Sequence, residues 1–415
     1  MAFRSPENVQ RNELVRFQLE SNIRAPANAR EQEKKGYKFV INDRSTFYDW
    51  FNAFFEVRFK LDLKANGGDN ADARTTIING AHSLIRHMVI KSGGKIIYDT
   101  DNLHLVTFAK NLLEYSDDYA RSVAKNSLWY LDTDGTSVAA TNPNFEARRL
   151  LTANRELVNV TIPLNRYSFF EELEGRMLPP MQLSFEIDLT PDAEVLYGAA
   201  DTLRLVIDRF YLWVPRLEPK DALMSKFISD YQKPTKWNYL REMYKSSDLA
   251  NSSGDFRISA SIDKVRYVFV FLQRDKTNDM TANPYIFDTF KLNAGDDNST
   301  LLNCRLEYGN GVFYPELDYD SDSKSRIFSD LMNYSWKKND YNTGTQLNIA
   351  KFTSIYPLIF FDLSYQAEQV SRDPKQLIIK YRINTNDGDN FRVHAIVLYE
   401  QDVVIDKVGD QLVIV

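Results

Sequence analysis

The sequence predicts an all-β protein: two tandem eight-stranded jelly-roll β-sandwiches with a few short helices in loops. Three observations carry that prediction. Apolar residues recur with period two in many short runs. Long polar stretches rich in Gly and Asn separate those runs. Blocks from the first half of the chain recur, in order, in the second. Alternation marks half-buried strands, and many short strands joined by such loops mark a sandwich or barrel. The aromatic load of 13%, with Phe 26 and Tyr 23, agrees, because these rings favour pleated strands.

The strands follow along the chain. Val57, Phe59, Leu61 and Leu63 alternate with Glu56, Arg58, Lys60 and Asp62. Val158, Val160, Ile162 and Leu164 repeat the pattern, as do Leu183, Phe185, Ile187 and Leu189. In the second half, Ile258, Ala260 and Ile262 alternate with polar neighbours, and Val265, Tyr267, Phe269 and Phe271 follow. Ile379, Tyr381 and Ile383 form another run, and FRVHAIVLYEQDVVID reads as one long or bulged strand. Loop signals fill 65–76, 132–144, 293–300 and 384–390. Helical spacing is rare. One helix is expected from a cap at Asp101 to about Tyr115, a second over 323–333 and a third around 221–231. None alternates regularly with strands, so βαβ units are not expected.

Comparing the halves aligns VIKSGGKIIY at 89–98 with RLEYGNGVFY at 305–314, each a strand, a Gly-containing turn and a strand. NLLEYS at 111–116 aligns with DLMNYS at 330–335, both ending helices. IDLTPDAE at 187–194 is set against FDLSYQAE at 361–368, with Pro180 and Pro357 ahead of the two strands. LRLVIDRFY at 203–211 is set against FRVHAIVLY at 391–399. Generic likeness between β domains is the competing reading. The conserved order favours duplication of a unit far longer than a propeller or solenoid repeat. An Ig-like pair stays open, although it is small for such a unit. The expected layout is an N-terminal arm over 1–36, a first roll over 37–218, a connector over 219–255 and a second roll over 256–415.

Composition narrows function. The net charge is -6, which argues against a general nucleic-acid coat or an anionic-membrane binder. Cys304 is the only cysteine, so an intrachain disulfide and a multi-thiolate zinc site are excluded. Its place between Leu302 and Leu306 reads as a buried small hydrophobe. The four histidines, His82, His87, His104 and His394, form no ligand pattern, and structural roles are expected for them. P-loop, GxGxxG, HExxH and GxSxG motifs are absent, so no enzyme, catalytic residue, cofactor or metal is expected. Asp318, Asp320 and Asp322 alternate as hard-cation ligands do, but lack the Gly and Glu of an EF-hand; a helix-capping turn is the favoured reading. Glu171, Glu172 and Glu174 near Tyr167, Phe169 and Phe170 have the composition of a carbohydrate cleft, and nothing in the sequence places them in one. Asn-x-Ser/Thr at Asn159, Asn251, Asn298 and Asn333 reads as chance. The N-terminus lacks an apolar signal segment and no run is long enough to span a bilayer, so synthesis in a reducing compartment is expected.

With these residues in view, the chain resembles the double jelly-roll major capsid proteins of double-stranded DNA viruses, and among them the Polinton (Maverick), adintovirus and virophage group. Residues 83–116, SLIRHMVIKSGGKIIYDTDNLHLVTFAKNLLEYS, look like that family's first-domain hairpin and helix. Residues 203–219, LRLVIDRFYLWVPRLEP, are similar to the strand that closes its first roll. The resemblance implies a homotrimer whose rolls form a pseudo-hexagonal capsomer tiling an icosahedral shell. It also implies contacts with neighbouring capsomers, penton and minor capsid proteins, and a place in the virion after synthesis in the host cytoplasm or nucleus. It implies no secretion and no sequence-specific nucleic acid binding. Loops 117–155 and 273–300 are expected as tower or lateral contacts. The arm carries Arg4, Arg11, Arg16, Arg24 and Arg30 against Glu7, Glu13, Glu20, Glu31 and Glu33, which suits clamping a neighbour better than holding a genome. The connector, rich in Phe227, Tyr231, Trp237, Tyr239 and Tyr244, is expected to pack across the rolls. The alternative function is a lectin-like or receptor-binding tandem sandwich, as a virion spike or minor capsid protein.

Overall fold

A computed structural model describes residues 9–17, 21–22, 36–43, 45–64, 75–133, 142–153, 156–199, 202–221, 229, 234–249, 251–274, 280–290, 300–309, 311–312, 317–318, 324–338, 344–365, 374–384, 390–408 and 411–414. In chain order the first roll comprises β1 (Val9–Phe17), β2 (Gly36–Ile41), β3 (Phe54–Leu63), β4 (Ile85–Ser92), β5 (Lys95–Thr100), β6 (Val158–Pro163), β7 (Leu183–Leu189) and β8 (Leu203–Pro219). The second comprises β9 (Thr235–Leu249), β10 (Ser253–Ile262), β11 (Val265–Arg274), β12 (Leu301–Tyr308), β13 (Gly311–Val312), β14 (Ile359–Asp362), β15 (Lys375–Ile383) and β16 (Phe391–Val408). The sheets of the first roll run β1-β8-β3-β6 and β2-β7-β4-β5; those of the second run β9-β16-β11-β14 and β10-β15-β12-β13. Each strand in one roll thus has its counterpart eight strands later. This is the jelly-roll order, twice.

Alternation puts one face of each sheet into the sandwich. In the first roll Phe39 and Phe185, from one sheet, meet Phe55 and Phe210, from the other. The Phe39–Phe55 ring centroids lie 5.7 Å apart and the Phe55–Phe210 centroids 5.4 Å apart. Strand β8 keeps its apolar face inward through a bulge: the register with β3 shifts between Ile207 and Arg209. Leu203 and Leu205 are buried before it, and Phe210, Leu212 and Val214 after it, so the inward parity switches from odd to even. The β4–β5 hairpin turns on Gly93 (φ 55°) and Gly94 (φ 87°), the left-handed pair that a two-residue turn requires.

The described structure departs from the expected layout at three places. Part of the segment read as an arm, Val9–Phe17, is the first strand of the first roll and pairs with Leu212–Pro219. Part of the segment read as a connector, Thr235–Leu249, is the first strand of the second roll and pairs along Phe391–Ile405. Its TKWNYLREMYKSSDL sequence contains good helix formers, and fifteen residues of ladder override that local preference. The third recurring block is out of register. IDLTPDAE begins in β7, whose counterpart is β15, whereas FDLSYQAE begins in β14, the counterpart of β6. An alternating strand running into a polar turn occurs several times per roll, so local likeness chose the wrong pair. In their described residues the other three blocks fall on counterpart elements, although the helix that holds DLMNYS runs on to Lys338 rather than ending there.

Helix α1 (Leu103–Glu114) follows β5; its cap is Asn102, in the left-handed region at φ 50°, rather than Asp101. The span 117–155, expected as a loop, contains α2 (Asp117–Arg121) and α3 (Pro143–Thr152), the latter capped by the Asn142 side chain with Pro143 at its start. Helix α4 (Lys324–Lys338) extends the second expected helix by about a turn, and α5 (Ile349–Ser354) follows it. The third expected helix lies almost wholly outside the described residues.

Candidate functional site

The two rolls meet along a seam, and the seam gathers most of the buried charge among the described residues. On one side stands α1, all 12 of whose residues are buried. On the other stands β9. Lys110 Nζ donates to Glu242 Oε1 of β9 at 2.7 Å, to Glu171 Oε2 at 3.0 Å and to the Arg166 carbonyl at 3.2 Å. Side-chain exposure is 4% for Lys110 and 1% for Glu242, so this pair crosses the seam out of water. Burial alone would depress the Lys110 ammonium; the Glu171, Glu242 and Glu114 carboxylates outweigh it and push its pKa up. One turn on, Arg166 bonds Asn111 Oδ1 at 2.7 Å and pairs with Glu114. Glu114 accepts from Tyr334 Oη of α4 at 2.7 Å, and Ser335 Oγ donates to the Leu113 carbonyl at 2.6 Å. The two duplicated helices therefore grip one another.

Aromatic rings fill the space between these contacts. Phe108 of α1 stacks on Tyr285 at 4.0 Å and 7°, and His82 lies over the same tyrosine at 5.8 Å. Phe271 stacks on Phe287 at 4.0 Å and on His394 at 4.7 Å. Phe169 packs on Trp237 at 4.6 Å and on Tyr239 at 5.6 Å. Aromatic pairs of this kind each contribute about 0.5–1.5 kcal/mol beyond their buried area. His82 and His104 are neutral here: burial, with nearby positive charge, lowers each pKa to about 3.

A second polar knot ties the span 117–155 to the second roll. Arg148, 0% exposed, pairs with Asp132 at 2.8 Å and donates to the Ile77 carbonyl at 3.1 Å. Asn142 and Asn283 donate to the two Asp132 oxygens at 3.1 and 3.0 Å, and Tyr356 Oη donates to its carbonyl at 3.2 Å. Asn283 and Tyr356 belong to the second roll. In their described parts both expected loops contribute to the seam: Trp129, Leu131 and Asp132 of the span 117–155 and Met280, Asn283, Tyr285, Phe287 and Phe290 of the span 273–300 are buried. Trp129 and Phe145 are apolar and find cover against Phe108 and Tyr197 respectively. Beside the seam a cavity of about 160 Å³ is lined from both rolls by Arg86, His104, Glu194, Tyr244, Arg392 and His394, among others.

Cys304 is 1% exposed, on β12. Tyr167, Phe169 and Phe170 are core residues, and Glu171 is Lys110's partner, so the glutamates do not line an aromatic cleft. Asp318 lies in a two-residue strand paired with β12; Asp320 and Asp322 lie outside the described residues. No group of three or more His, Cys, Asp or Glu suited to a metal occurs among the described residues. His87 sits half-buried between Asp99 (2.8 Å) and Asp188 (3.2 Å). Lys110, Glu242, Asp132 and Arg148 belong to no motif in the sequence. A lone lysine inside the apolar run LVTFAKNLL was the available sign.

Residues 236–404, essentially the second roll, match the model of the double jelly roll-like domain. No curated protein matches the chain by sequence. Solved structures match over the whole length. The Faustovirus major capsid protein superposes with TM-score 0.63 at 9% identity, over 100% of this chain and 92% of that one. VP54 of PBCV-1, fitted into a reconstruction of the virophage Sputnik, gives 0.59 at 10% over 100% and 98%. The mavirus major capsid protein gives 0.53 at 10% over 98% and 90%. The chain has the double jelly-roll fold of these proteins.

Proposed function

We propose that this chain is a major capsid protein that assembles as homotrimeric, pseudo-hexagonal capsomers tiling an icosahedral shell. The observation that carries the reading is the pairing of two jelly rolls through a buried, ion-paired seam. A shell tile must hold its sandwiches rigidly side by side, and an interface of buried Lys–Glu and Arg–Asp pairs among stacked rings resists sliding. The full-length likeness to the Faustovirus and mavirus major capsid proteins supports the same role. The protein is then a structural component of a virion, without catalysis, whose partners are further copies of itself and the penton and minor proteins of the shell.

Light scattering combined with negative-stain imaging of the same peak tests this. The expected species has a mass of about 144 kDa, three times 48.1 kDa, and a pseudo-hexagonal outline. A compact monomer at every concentration overturns the capsomer, and a pentamer replaces it with a vertex or spike role.

A further inference from the structure

The cavity beside the seam is walled by charge from both rolls. The first roll contributes Arg86 from β4, Glu194 from the segment after β7, and Asn102 and His104 from the start of α1. The second contributes Arg274 from β11 and Arg392 from β16. Three guanidinium groups therefore share the lining with one carboxylate. Arg86 Nη1 donates to Glu194 Oε1 at 3.3 Å, Arg392 Nε donates to Asp248 Oδ1 at 2.7 Å, and Arg274 lies over the Phe391 ring at 5.6 Å. A guanidinium carries five N–H donors, so it can keep such contacts and hold an anion as well. Asp101, 3.9 Å from Arg86, and Asp248 stand outside the lining; they are 62% and 76% exposed, so water and salt screen them.

The start of α1 is a second, independent feature of the same cavity. Its N-cap residue, Asn102, makes no side-chain cap and donates instead to Asp101 Oδ2 at 3.1 Å. No acidic residue stands in the first turn. A helix of 12 residues presents partial positive charge at this end, through its first amides and its dipole. His104 lies in that first turn, is 2% exposed, and has an Nδ1 without a hydrogen-bond partner among the described residues. Burial and Arg86 keep the ring neutral, with a pKa of about 3, so Nδ1 can carry the N–H. A buried nitrogen of this kind calls for an acceptor. The guanidinium groups, the helix start and His104 Nδ1 thus all offer hydrogens, and they come from several directions. A cation would find a single carboxylate, Glu194, already paired with Arg86.

We propose that this cavity binds a small tetrahedral oxyanion of the phosphate class, which bridges the two rolls. Four oxygens pointing four ways suit donors that converge from both sides, and arginine with a helix N-terminus is a common means of holding phosphate. The volume of about 160 Å³ lies below the roughly 300–1,000 Å³ of pockets for drug-sized ligands, so the ligand is an inorganic ion rather than a nucleotide. Arg86, His104 and the start of α1 hold the anion from the first roll; Arg274 and Arg392 hold it from the second. Glu194 orients Arg86 and limits the affinity by its own charge. The anion offsets the repulsion among the three guanidinium groups and so fastens the rolls together. The site lies within one chain and stands whether or not the chain forms capsomers.

Titration of the full-length chain with inorganic phosphate tests this, by calorimetry and by thermal melting, against sodium chloride of matched ionic strength. Wild type is expected to show one saturable site per chain and a Tm that rises to a plateau. Phosphate also stabilises proteins generally by exclusion from their surfaces, but that effect does not saturate. Arg86→Gln/Arg392→Gln removes two guanidinium groups whose side chains are 37% and 38% exposed, and is expected to bind about tenfold or more weakly and to lose the plateau. In wild type, the NMR signals of the His104 ring are expected to move with phosphate. Those of His87, held between Asp99 and Asp188 outside the lining, are expected to stay. Should the double variant not fold, the wild-type histidine signals decide alone. No saturable binding by wild type, equal binding by the folded double variant, or His104 signals indifferent to phosphate overturns the proposal.

Discussion

Lys110→Met probes whether the buried charge at the seam holds the rolls together. The ammonium makes three contacts, at 2.7, 3.0 and 3.2 Å, and is 4% exposed. Removing it strands two carboxylates unequally. Glu171 is 23% exposed and reaches water. Glu242 is 1% exposed and keeps the Ser168 amide at 3.3 Å, so it carries the penalty. Breaking a buried pair from one side costs about 3–5 kcal/mol. For a cooperative unit the size of one roll that is roughly 6–20 °C in Tm. Lys110→Met/Glu242→Gln removes the stranded charge yet keeps an acceptor for Ser168, and is expected to recover more than half of the loss. The lysine's folded pKa is raised, so its contribution is complete below its unfolded value of about 10.4 and fades only as pH rises through the higher folded value. The deficit is therefore the same at pH 6 and pH 9 on the lysine's account. Calorimetry on the three proteins decides. A Tm within 2 °C of wild type for the single variant, or a double variant no better than the single, refutes the argument.

Three further outcomes follow from the same geometry. Gly80 has φ 87° and a Cβ there would collide with the His82 ring, so Gly80→Ala is expected to lose at least about 1–2 kcal/mol in urea unfolding. His82 and His104 have folded pKa values near 3, below their unfolded value; stability is complete above about pH 6.5 and falls as pH drops toward 3. Each adds about 1.4 kcal/mol per pH unit to that slope, and a flat profile between pH 6 and 4.5 would contradict their neutral burial. His87 behaves oppositely: burial opposes its charge, but Asp99 and Asp188 raise its pKa, so its contribution is present below about pH 6.5 and lost as pH rises through the folded value. Wild type should lose Tm relative to His87→Gln over that rise, and an NMR titration should find His87 more basic than His82 and His104.

The strands were legible because their chemistry is local. Val57 through Leu63 alternates so cleanly that its face and length follow from six or seven residues. The GG turn at 93–94 is equally local, since only a residue without Cβ takes both positive φ values cheaply. The failures are where partners lie far away in sequence. Residues 9–17 carry no clean alternation, yet they form a strand because β8 offers an open ladder to them. Residues 235–249 look helical and are held extended by β16, some 150 positions on. Duplicated block three failed for a related reason: sequence likeness ranks strands by composition, and topology ranks them by neighbours.

The sequence by itself determined that the protein is built of sandwiches, that the unit occurs twice, and which runs enter a core, because periodicity and order are properties of the chain. Tertiary structure alone decided what lies between the units. Nothing local in LVTFAKNLL states that Lys110 meets Glu242, or that Asp132 collects two asparagines, a tyrosine and Arg148. A buried charge is tolerable only opposite its counter-charge. Which residue stands opposite is set by how two finished rolls come to rest against each other.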